Sequence, residues 1–228
     1  MSNIVKSTLI MALITFVASM ALSHINRITL PDIQRQEREK QESALKTVLP
    51  GYTITEKKTA DTPDGPFTYW IGEKQREETV ARGYAFITEK SGYSGPVRSM
   101  VGIDEQGTVL GIVILQQTET PGLGARCIER ASMETFLDYI LGRTTRVAPQ
   151  PPWFQSQFTG LDATKKITIL KRGDWTPGLR DELIEKNAIS AITGATITSR
   201  TVRDSIATGM EKLTALVTLI KTEEEEGE

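Results

Sequence analysis

The chain has 228 residues, with 27 lysine and arginine residues against 29 aspartate and glutamate residues, and a formal net charge of −2 at pH 7. The basic residues do not cluster into a stripe, so the composition argues against a nucleic-acid-binding protein. One cysteine and one histidine exclude an internal disulfide framework and a multi-cysteine metal site, and they argue against a histidine-based triad or zinc cluster. Redox chemistry in this chain would therefore need an organic cofactor.

The N-terminus carries an apolar run over residues 8–22, preceded by Lys6 and followed by Arg27. With the apolar residues that flank it, the run reaches the roughly 20 residues that a membrane-spanning helix needs. We therefore expect residues 1–27 to be a single transmembrane anchor. A cleaved signal peptide is the alternative, because the sequence ASMALS has the small residues of a cleavage site.

The anchor is followed by three further segments. Residues 28–50 are mostly charged and predict a helical stalk that docks only through its C-terminal end. Residues 51–221 are expected to form the folded domain, and residues 222–228 an acidic tail that stays solvated because like charges repel. Positive charge before the apolar run favours a cytoplasmic N-terminus, with the folded domain on the extracytoplasmic side of the cytoplasmic (inner) membrane.

Alternating apolar and polar residues predict three strands, over residues 78–90, 95–104 and 107–117. The sequence DEQG predicts a hairpin turn between the last two strands. A turn-rich loop is expected before the strands, at residues 59–67.

Helical spacing of apolar residues predicts helices over residues 131–142 and 179–189, and a last helix from Ser199 to Lys221. A short strand is predicted over residues 165–170. The fold class is therefore α+β, with an antiparallel sheet and packed helices.

The sequence AITGATITSR, residues 191–200, opens the last predicted helix and contains four hydroxyl side chains: Thr193, Thr196, Thr198 and Ser199. A helix N-terminus offers unpaired backbone N–H groups and a positive dipole end, which together favour a phosphate. Gly194 and Ala195 add little bulk, so a ligand can approach the backbone. The same residues also fit an ordinary helix cap, because threonine and serine are favoured there.

The sequence TETPGLGAR, residues 118–126, follows the third predicted strand. Gly122 and Gly124 on either side of Leu123 predict a tight turn whose N–H groups can face a ligand. Glu119 and Thr120 lie where the chain leaves the sheet, which is a usual place for binding residues. Alone, this loop also fits a plain connection between two elements.

Taken together and in this order, the two motifs resemble those of the FMN-binding domain family. GYSGPVRSMVGID, WFQSQFTG and the apolar N-terminus extend the resemblance over nearly the whole chain, most closely to the G subunits of Rnf electron-transport complexes. More distantly, the chain resembles the C subunit of the sodium-pumping NADH:quinone oxidoreductase. The resemblance implies that FMN is attached through its phosphate, as a phosphoester, to Thr196. A separate flavin transferase of the ApbE type would form this bond by cutting FAD.

The resemblance also implies the surroundings of the cofactor. It gives the isoalloxazine ring the contacts Glu119, Thr120, Leu123 and Gly124, with Gly122 in the same turn. Around the phosphate it gives the residues Thr193, Gly194, Ala195, Thr198 and Ser199. Lys171 is a further candidate for contact with the flavin or its phosphate, with a solvated loop lysine as the alternative.

Other side chains near these motifs have simpler interpretations. Tyr93, Trp153 and Phe158 could flank a ring, but core packing is the default for aromatic side chains. Cys127 follows the glycine turn and is interpreted as a small buried hydrophobe.

One position departs from the family pattern. The transferase motif usually begins with an aspartate three residues before Thr193, and this chain has Ser190 there. This difference leaves open weaker recognition by the transferase, a divergent transferase or no modification at all. Thr198 is the alternative acceptor.

The resemblance implies an electron-transfer flavoprotein subunit that has no catalytic residue and no metal of its own. Such a subunit works with the other membrane subunits of an Rnf-type, ferredoxin- and NAD-linked, ion-translocating complex, and catalyses no complete reaction alone. The alternative is a membrane-anchored binding or sensor module of the same fold without covalent flavin. A free-standing flavin reductase is less favoured, because the chain has no G-x-G-x-x-G fingerprint.

Overall fold

The computed structural model describes five ranges of the chain: residues 2–76, 79–130, 151–171, 173 and 177–226. The helix predicted over residues 131–142 lies outside them. The chain divides into two compact units, Met1–Glu42 and Ser43–Glu228, which are described separately.

The first unit consists of the long first helix, α1. This helix spans Ser2–Val48, continues through Pro31, and enters the second unit with its last residues. Its apolar N-terminal part is exposed, and by length and composition the helix is able to cross a membrane. The segments predicted as anchor and stalk therefore belong to one helix.

The second unit is built on an antiparallel sheet whose strands follow one another in chain order: β1 Thr53–Thr62, β2 Gly65–Arg76, β3 Thr79–Ser91, β4 Pro96–Asp104 and β5 Val109–Gln116. The three predicted strands are confirmed as β3, β4 and β5. The predicted hairpin turn is also confirmed, because the N–H of Gly107 donates to the carbonyl oxygen of Asp104 at 3.1 Å.

Strands β1 and β2 form a hairpin where a turn-rich loop was predicted, so that prediction was wrong for most of residues 59–67. The reason lies in the edge position of β1. Nearly all of its side chains are exposed or half-buried and polar, so the strand lacks the alternation of apolar residues that marks a half-buried strand. Backbone pairing with β2 holds it instead.

The remaining described elements are the helices α2 Trp153–Ser156, α3 Arg180–Glu185 and α4 Thr196–Glu226, the short strands β6 Thr168–Leu170 and β7 Ala188–Ser190, and the 3-10 turns Gly124–Ile128 and Pro177–Leu179. Strands β6 and β7 pair in parallel. Helix α4 begins three residues before the predicted Ser199 and continues into the segment predicted as an acidic tail.

The helix predicted over residues 179–189 is too long at its C-terminal end, because it stops at Glu185 and the chain then forms β7. Asn187 has a positive φ of 45° and turns the chain. Its side chain binds both backbone groups of Asp162: Oδ1 accepts from the N–H at 2.8 Å, and Nδ2 donates to the carbonyl oxygen at 3.0 Å. This tertiary contact determines the end of the helix, which local spacing does not reveal.

The two faces of the five-stranded sheet carry separate hydrophobic cores. One core contains buried side chains of the sheet, α2, β7 and α4, among them Phe86, Phe154, Phe158, Ile189 and Ile206. The other contains residues 44, 45, 48 and 49 at the end of α1, together with Trp70, Ala85 and Met100. The predicted docking of the C-terminal end of the stalk is confirmed.

Helix α4 packs on β3 and β4, and two hydrogen bonds fix it along β3. The hydroxyl of Thr88 donates to the carbonyl oxygen of Ser205 at 2.8 Å, and the hydroxyl of Thr201 donates to that of Ser91 at 3.1 Å. The N-terminus of α4 is thereby held beside the turn between β3 and β4.

Candidate functional site

The start of α4 forms one wall of the candidate site. Gly194 has a φ of +78°, which an L side chain rarely adopts, and the N–H of Ala195 closes the turn onto the carbonyl oxygen of Ile192 at 2.9 Å. The helix then begins at Thr196. The backbone N–H groups of a first helical turn have no partner within the helix and can bind an anion.

The glycine-rich loop forms the second wall. After β5 the chain turns at Gly122, which has a φ of +76°, and the N–H groups of Leu123 and Ala125 both donate to the carbonyl oxygen of Thr120 at 3.2 Å. The predicted tight turn is confirmed, but these two N–H groups close the turn and are not directed at a ligand. It leaves the side chain of Leu123 45% exposed.

The turn between β3 and β4 completes the site. Together the three segments enclose a cavity of about 410 Å³, lined by Tyr93, Glu119, Thr120, Leu123, Gly124, Gly194, Ala195, Thr196, Ile197 and Thr198. The two motifs that lie far apart in the sequence therefore meet at one cavity. Its volume lies within the range of about 300–1,000 Å³ that is usual for small-molecule and cofactor sites.

Four of the residues singled out from the sequence do not line the cavity: Thr193, Gly122, Ser199 and Lys171. Thr193 and Gly122 are exposed in the two turns beside it. Ser199, in the first turn of α4, is fully buried. Lys171 is exposed one residue after β6, outside the cavity lining.

The hydroxyl groups of the TGATITS motif have different environments. Thr198 is 1% exposed, and its hydroxyl donates to Oε2 of Glu119 at 2.8 Å. The hydroxyl of Ser199 donates to the carbonyl oxygen of Ala195 at 3.1 Å and accepts from the N–H of Ile192 at 3.0 Å. Both side chains are therefore occupied within the fold.

Thr196 has a different environment. It is half-buried, lies in the first turn of α4 and lines the cavity. Its hydroxyl makes no hydrogen bond with any part of the chain that the structure describes. Of the four hydroxyl-bearing motif residues, Thr196 is the one that lines the cavity and is only half-buried.

Glu119 lines the cavity but is itself 5% exposed. Its Oε1 accepts hydrogen bonds from the backbone N–H groups of Tyr93 at 2.8 Å and Ser94 at 3.3 Å, and its Oε2 accepts the Thr198 hydroxyl. Three donors converge on this side chain, as expected for an ionised carboxylate that acts as an acceptor only. The carboxylate therefore links the glycine-rich loop, the turn between β3 and β4, and the start of α4 through hydrogen bonds.

Two large residues at the mouth of the cavity differ from the expectations. Tyr93, which could flank a ring but had core packing as its default interpretation, is 72% exposed, whereas Trp153 and Phe158 are buried in the core; Ile197 was missed. Ile197 is 51% exposed in the first turn of α4. A large apolar residue between the glycines of GYSG, or between two motif threonines, is the signal that could have identified them.

The chemistry of the lining fits FMN. Tyr93, Leu123 and Ile197 offer an exposed apolar border for an aromatic ring system, while the start of α4 offers N–H groups and a positive dipole end to a phosphate. Gly124 keeps the wall thin, since a Cβ there would lie 2.4 Å from Oε2 of Glu119 and 2.6 Å from the hydroxyl of Thr198. In the described residues, no group of three or more histidine, cysteine, aspartate or glutamate side chains is arranged to hold a metal ion.

Comparison with known proteins identifies relatives of the part of the chain that contains the site. The family model described as FMN-binding domain matches residues 92–211, which include all three segments around the cavity. The G subunit of the Na(+)-translocating ferredoxin:NAD(+) oxidoreductase complex from Acetobacterium woodii is 30% identical over 214 residues, covering 88% of this chain and 87% of the relative. The G subunit of the ion-translocating oxidoreductase complex from Aliivibrio fischeri is 25% identical over 189 residues, covering 75% and 88%.

A solved structure shares the fold. The C subunit of the Na(+)-translocating NADH-quinone reductase from Parabacteroides distasonis is 17% identical, with a TM-score of 0.50 over 79% of this chain and 93% of that chain. The fold, the cavity and the sequence matches agree: this chain belongs to the FMN-binding domain family, together with the G subunits of ion-translocating oxidoreductase complexes.

Proposed function

We propose that this chain is the flavin-carrying, electron-transferring subunit of an Rnf-type ion-translocating oxidoreductase, and that its FMN is attached through a phosphoester to Thr196. The observation that carries the attachment site is the environment of Thr196, which lines the cavity at the start of α4, is half-buried, and has a hydroxyl without a hydrogen-bond partner among the described residues. The hydroxyls of Thr198 and Ser199 are buried and hydrogen bonded, which argues against them as acceptors.

The attachment reaction is a phosphoryl transfer. Oγ1 of Thr196 forms a bond to the flavin-side phosphorus of FAD, the pyrophosphate P–O bond breaks, AMP leaves, and the hydroxyl proton is released. Such a transfer needs a positioned, accessible acceptor and stabilisation of negative charge. Thr196 is the accessible hydroxyl, and the N–H groups of the first helical turn suit the phosphate that remains on the protein.

Bound FMN supplies one- and two-electron chemistry, so the chain need only hold the flavin and exclude competing reactions. The apolar border of Tyr93, Leu123 and Ile197 suits the ring, and a covalent link prevents loss of the cofactor. The relatives in Acetobacterium woodii and Aliivibrio fischeri are subunits of oxidoreductase complexes, which supports other membrane subunits of such a complex as the partners of this chain.

Residues 1–27 would anchor the chain, with the domain of residues 51–221 on the extracytoplasmic side. The exposed apolar side chains and the length of this segment support this proposal. Fusing alkaline phosphatase or green fluorescent protein to the C-terminus tests the orientation. We expect activity from the phosphatase fusion and no fluorescence; the reverse pattern would place the domain in the cytoplasm.

The presence of Ser190 in place of the aspartate of the family motif favours a second candidate, a binding or sensor module without covalent flavin. The side chain is fully buried, and its hydroxyl donates to the carbonyl oxygen of Gly173. An aspartate at this position would direct a carboxylate at a carbonyl oxygen, with no proton to share, so serine suits this environment better than the aspartate of the family motif.

Co-expression with an active flavin transferase distinguishes the two candidates. We expect the unsubstituted chain to gain the mass of one FMN less one water and to fluoresce on a denaturing gel. Thr196→Ala should show neither change, while Thr193→Ala, which removes an exposed hydroxyl from the same motif, should still be modified. An unmodified native chain would favour the second candidate, and modification of Thr196→Ala would place the bond elsewhere.

A further inference from the structure

Glu119 connects the walls of the cavity through its two carboxylate oxygens. Oε1 lies 2.8 Å from the backbone nitrogen of Tyr93, in the turn between β3 and β4, and Oε2 lies 2.8 Å from Oγ1 of Thr198, in the first turns of α4. The residue itself belongs to the loop that follows β5. One side chain thus joins three segments that are far apart in the sequence.

The surrounding backbone leaves room for this carboxylate. A Cβ at Gly92 would lie 2.1 Å from Oε1, and a Cβ at Gly124 would lie 2.4 Å from Oε2. Real Cβ contacts are never that short, so a side chain at either position would displace the carboxylate. Glycine is needed at both ends of the same side chain.

A second contact holds the same turn to the same loop. The hydroxyls of Ser94 and Thr120 lie 3.0 Å apart and share a hydrogen bond. This contact is exposed, whereas Glu119 is 5% exposed, and hydrogen bonds to a charged group are the stronger class. The bond from Thr201 to Ser91 holds α4 to the end of β3. Among the contacts that Tyr93 and Ser94 themselves make to the rest of the site, those to the buried carboxylate are the stronger.

Tyr93 explains why this connection matters for the cavity. Its backbone N–H is held by Glu119, while its side chain is 72% exposed at the cavity mouth, where Leu123 and Ile197 are the other exposed apolar residues. The distance between the Tyr93 side and the α4 side of the cavity therefore depends on the span of the Glu119 side chain.

We infer that Glu119 is a positioning residue: its carboxylate fixes the β3–β4 turn, and with it Tyr93, at a set distance from the start of α4. Only the purpose of this fixed distance, which is to set the width of the cavity for the ring of the flavin, rests on the proposed function. Glu119 thereby acts through Tyr93 and Thr198, in addition to the direct ring contact that the family resemblance implies.

Two conservative substitutions separate the effect of the length of the Glu119 side chain from the effect of its charge. Glu119→Gln keeps the length of the side chain: its carbonyl oxygen can accept from the N–H groups of Tyr93 and Ser94, and its amide can donate to the hydroxyl of Thr198. Glu119→Asp keeps the charge but is one methylene shorter, so it cannot reach both walls. If the length of the side chain matters most, we expect the aspartate variant to differ from the native chain more than the glutamine variant does.

The measurement is residue-level hydrogen–deuterium exchange on the full chain in detergent, without flavin. In Glu119→Asp we expect the amides of Tyr93 and Ser94 to exchange about 5- to 30-fold faster, because each loses a hydrogen bond to a charged acceptor. The amide of Val101, inside β4, reports on global opening and should not change. In Glu119→Gln we expect a smaller acceleration than in Glu119→Asp, because a neutral side chain of the full length keeps these hydrogen bonds but weakens them.

Thr198→Val provides a second test in case the aspartate variant fails to fold. It removes the α4 end of the connection and keeps a β-branched side chain, so the amide of Ser199, which bonds the carbonyl oxygen of Ala195 at 3.2 Å, should exchange faster. Unchanged exchange in both Glu119→Asp and Thr198→Val would overturn the inference. Equal acceleration in the glutamine and aspartate variants would also overturn it, since charge rather than reach would then hold the turn.

The effect on flavin binding is measured separately from the exchange rates. In chains co-expressed with the transferase, intact mass decides whether flavin is attached to Thr196, and the fluorescence polarisation of attached flavin reports how tightly the ring is held. We expect lower polarisation in Glu119→Asp than in Glu119→Gln or the native chain. A native chain without flavin would end the proposed function, yet the exchange rates measured without flavin would still decide the role of Glu119.

Discussion

The side-chain amide of Gln157 pairs with both backbone groups of Ser190. Oε1 of Gln157 accepts from the Ser190 N–H at 2.7 Å, and Nε2 donates to the Ser190 carbonyl oxygen at 3.3 Å. Gln157 is 3% exposed and Ser190 is fully buried. The pairing replaces a neighbouring strand along this part of β7, and so holds the chain just before it turns into the TGATITS motif.

Gln157→Glu should destabilise the folded chain although its shape hardly changes. The substitution puts a carboxylate oxygen opposite the Ser190 carbonyl oxygen and leaves that buried acceptor unpaired, which costs about 1–3 kcal/mol. The free energy of unfolding, measured with urea in detergent through tryptophan fluorescence, checks this value. Gln116→Glu, at an exposed end of β5, is the matched control and should change stability by less than about 0.5 kcal/mol. Equal effects of the two substitutions would contradict the assigned role of Gln157.

The sequence predicted the parts of the fold whose signal is local. Strands β3 to β5 follow from short runs of strand-forming residues bounded by turn residues, and the hairpin turn from DEQG, because each pattern lies within one segment. The edge strand β1 was not predicted, because a strand with exposed polar side chains has no apolar alternation to detect. The end of α3 was missed for another reason: the contact between Asn187 and Asp162 is tertiary.

The candidate site could be predicted in composition but not in arrangement. The ETPGLG and TGATITS motifs were identified as binding segments, and the structure brings both to one cavity. Spacing along the chain does not reveal that the hydroxyl of Thr198 is buried against Glu119 while Thr196 lines the cavity half-buried. The exposure of Tyr93 also depends on its turn being held across the site, which no local pattern records.

Gly102 should not tolerate a side chain. A Cβ there would lie 2.1 Å from the carbonyl oxygen of Val48, at the end of α1, and 2.7 Å from the carbonyl carbon. These are backbone atoms that cannot move aside without shifting the helix end, so Gly102→Ala should cost about 2 kcal/mol or more. The control Gly178→Ala adds the same methyl group where nothing lies within 4 Å, and it should leave stability nearly unchanged.

Thermal unfolding of both glycine variants in the same detergent measures the difference. A clearly lower midpoint for Gly102→Ala alone supports the close contact between β4 and the end of α1. Two indistinguishable midpoints would mean that the end of α1 moves away from β4 at little cost.

Cys127 should be inert in the folded protein. The side chain is fully buried, and burial, together with the nearby Glu119 carboxylate, raises the pKa of the thiol to about 12. Since the thiolate is the reactive form, maleimide should not label the native chain at pH 7–8 but should label it fully in denaturant. Tyr93→Cys in a Cys127→Ala background is the positive control, because residue 93 is exposed and should be labelled at once. Rapid labelling of the native chain would show that the thiol reaches solvent.

Asp162 should make the stability of the chain depend on pH in the acidic range. Hydrogen bonds from Thr164 and from Lys165, which lies 2.9 Å away, lower the pKa of the Asp162 carboxyl from 3.8 to about 2. A carboxyl whose pKa is lower in the folded state stabilises the fold above its unfolded pKa. That contribution is lost as the pH falls from about 4 through about 2. Because a third of the side chain is exposed, water screens the interaction and the effect should be modest.

Urea unfolding of the native chain and of Asp162→Asn, at several pH values between 7 and 2, tests this dependence. The difference in unfolding free energy between the two should be largest above pH 5 and should shrink as the pH falls below 4, because protonation removes what the substitution has already removed. Thr164→Val, which deletes only the hydroxyl donor, should weaken the same dependence without abolishing it. A difference that stays constant down to pH 2 would mean that the carboxyl has the same pKa in the folded and unfolded chain.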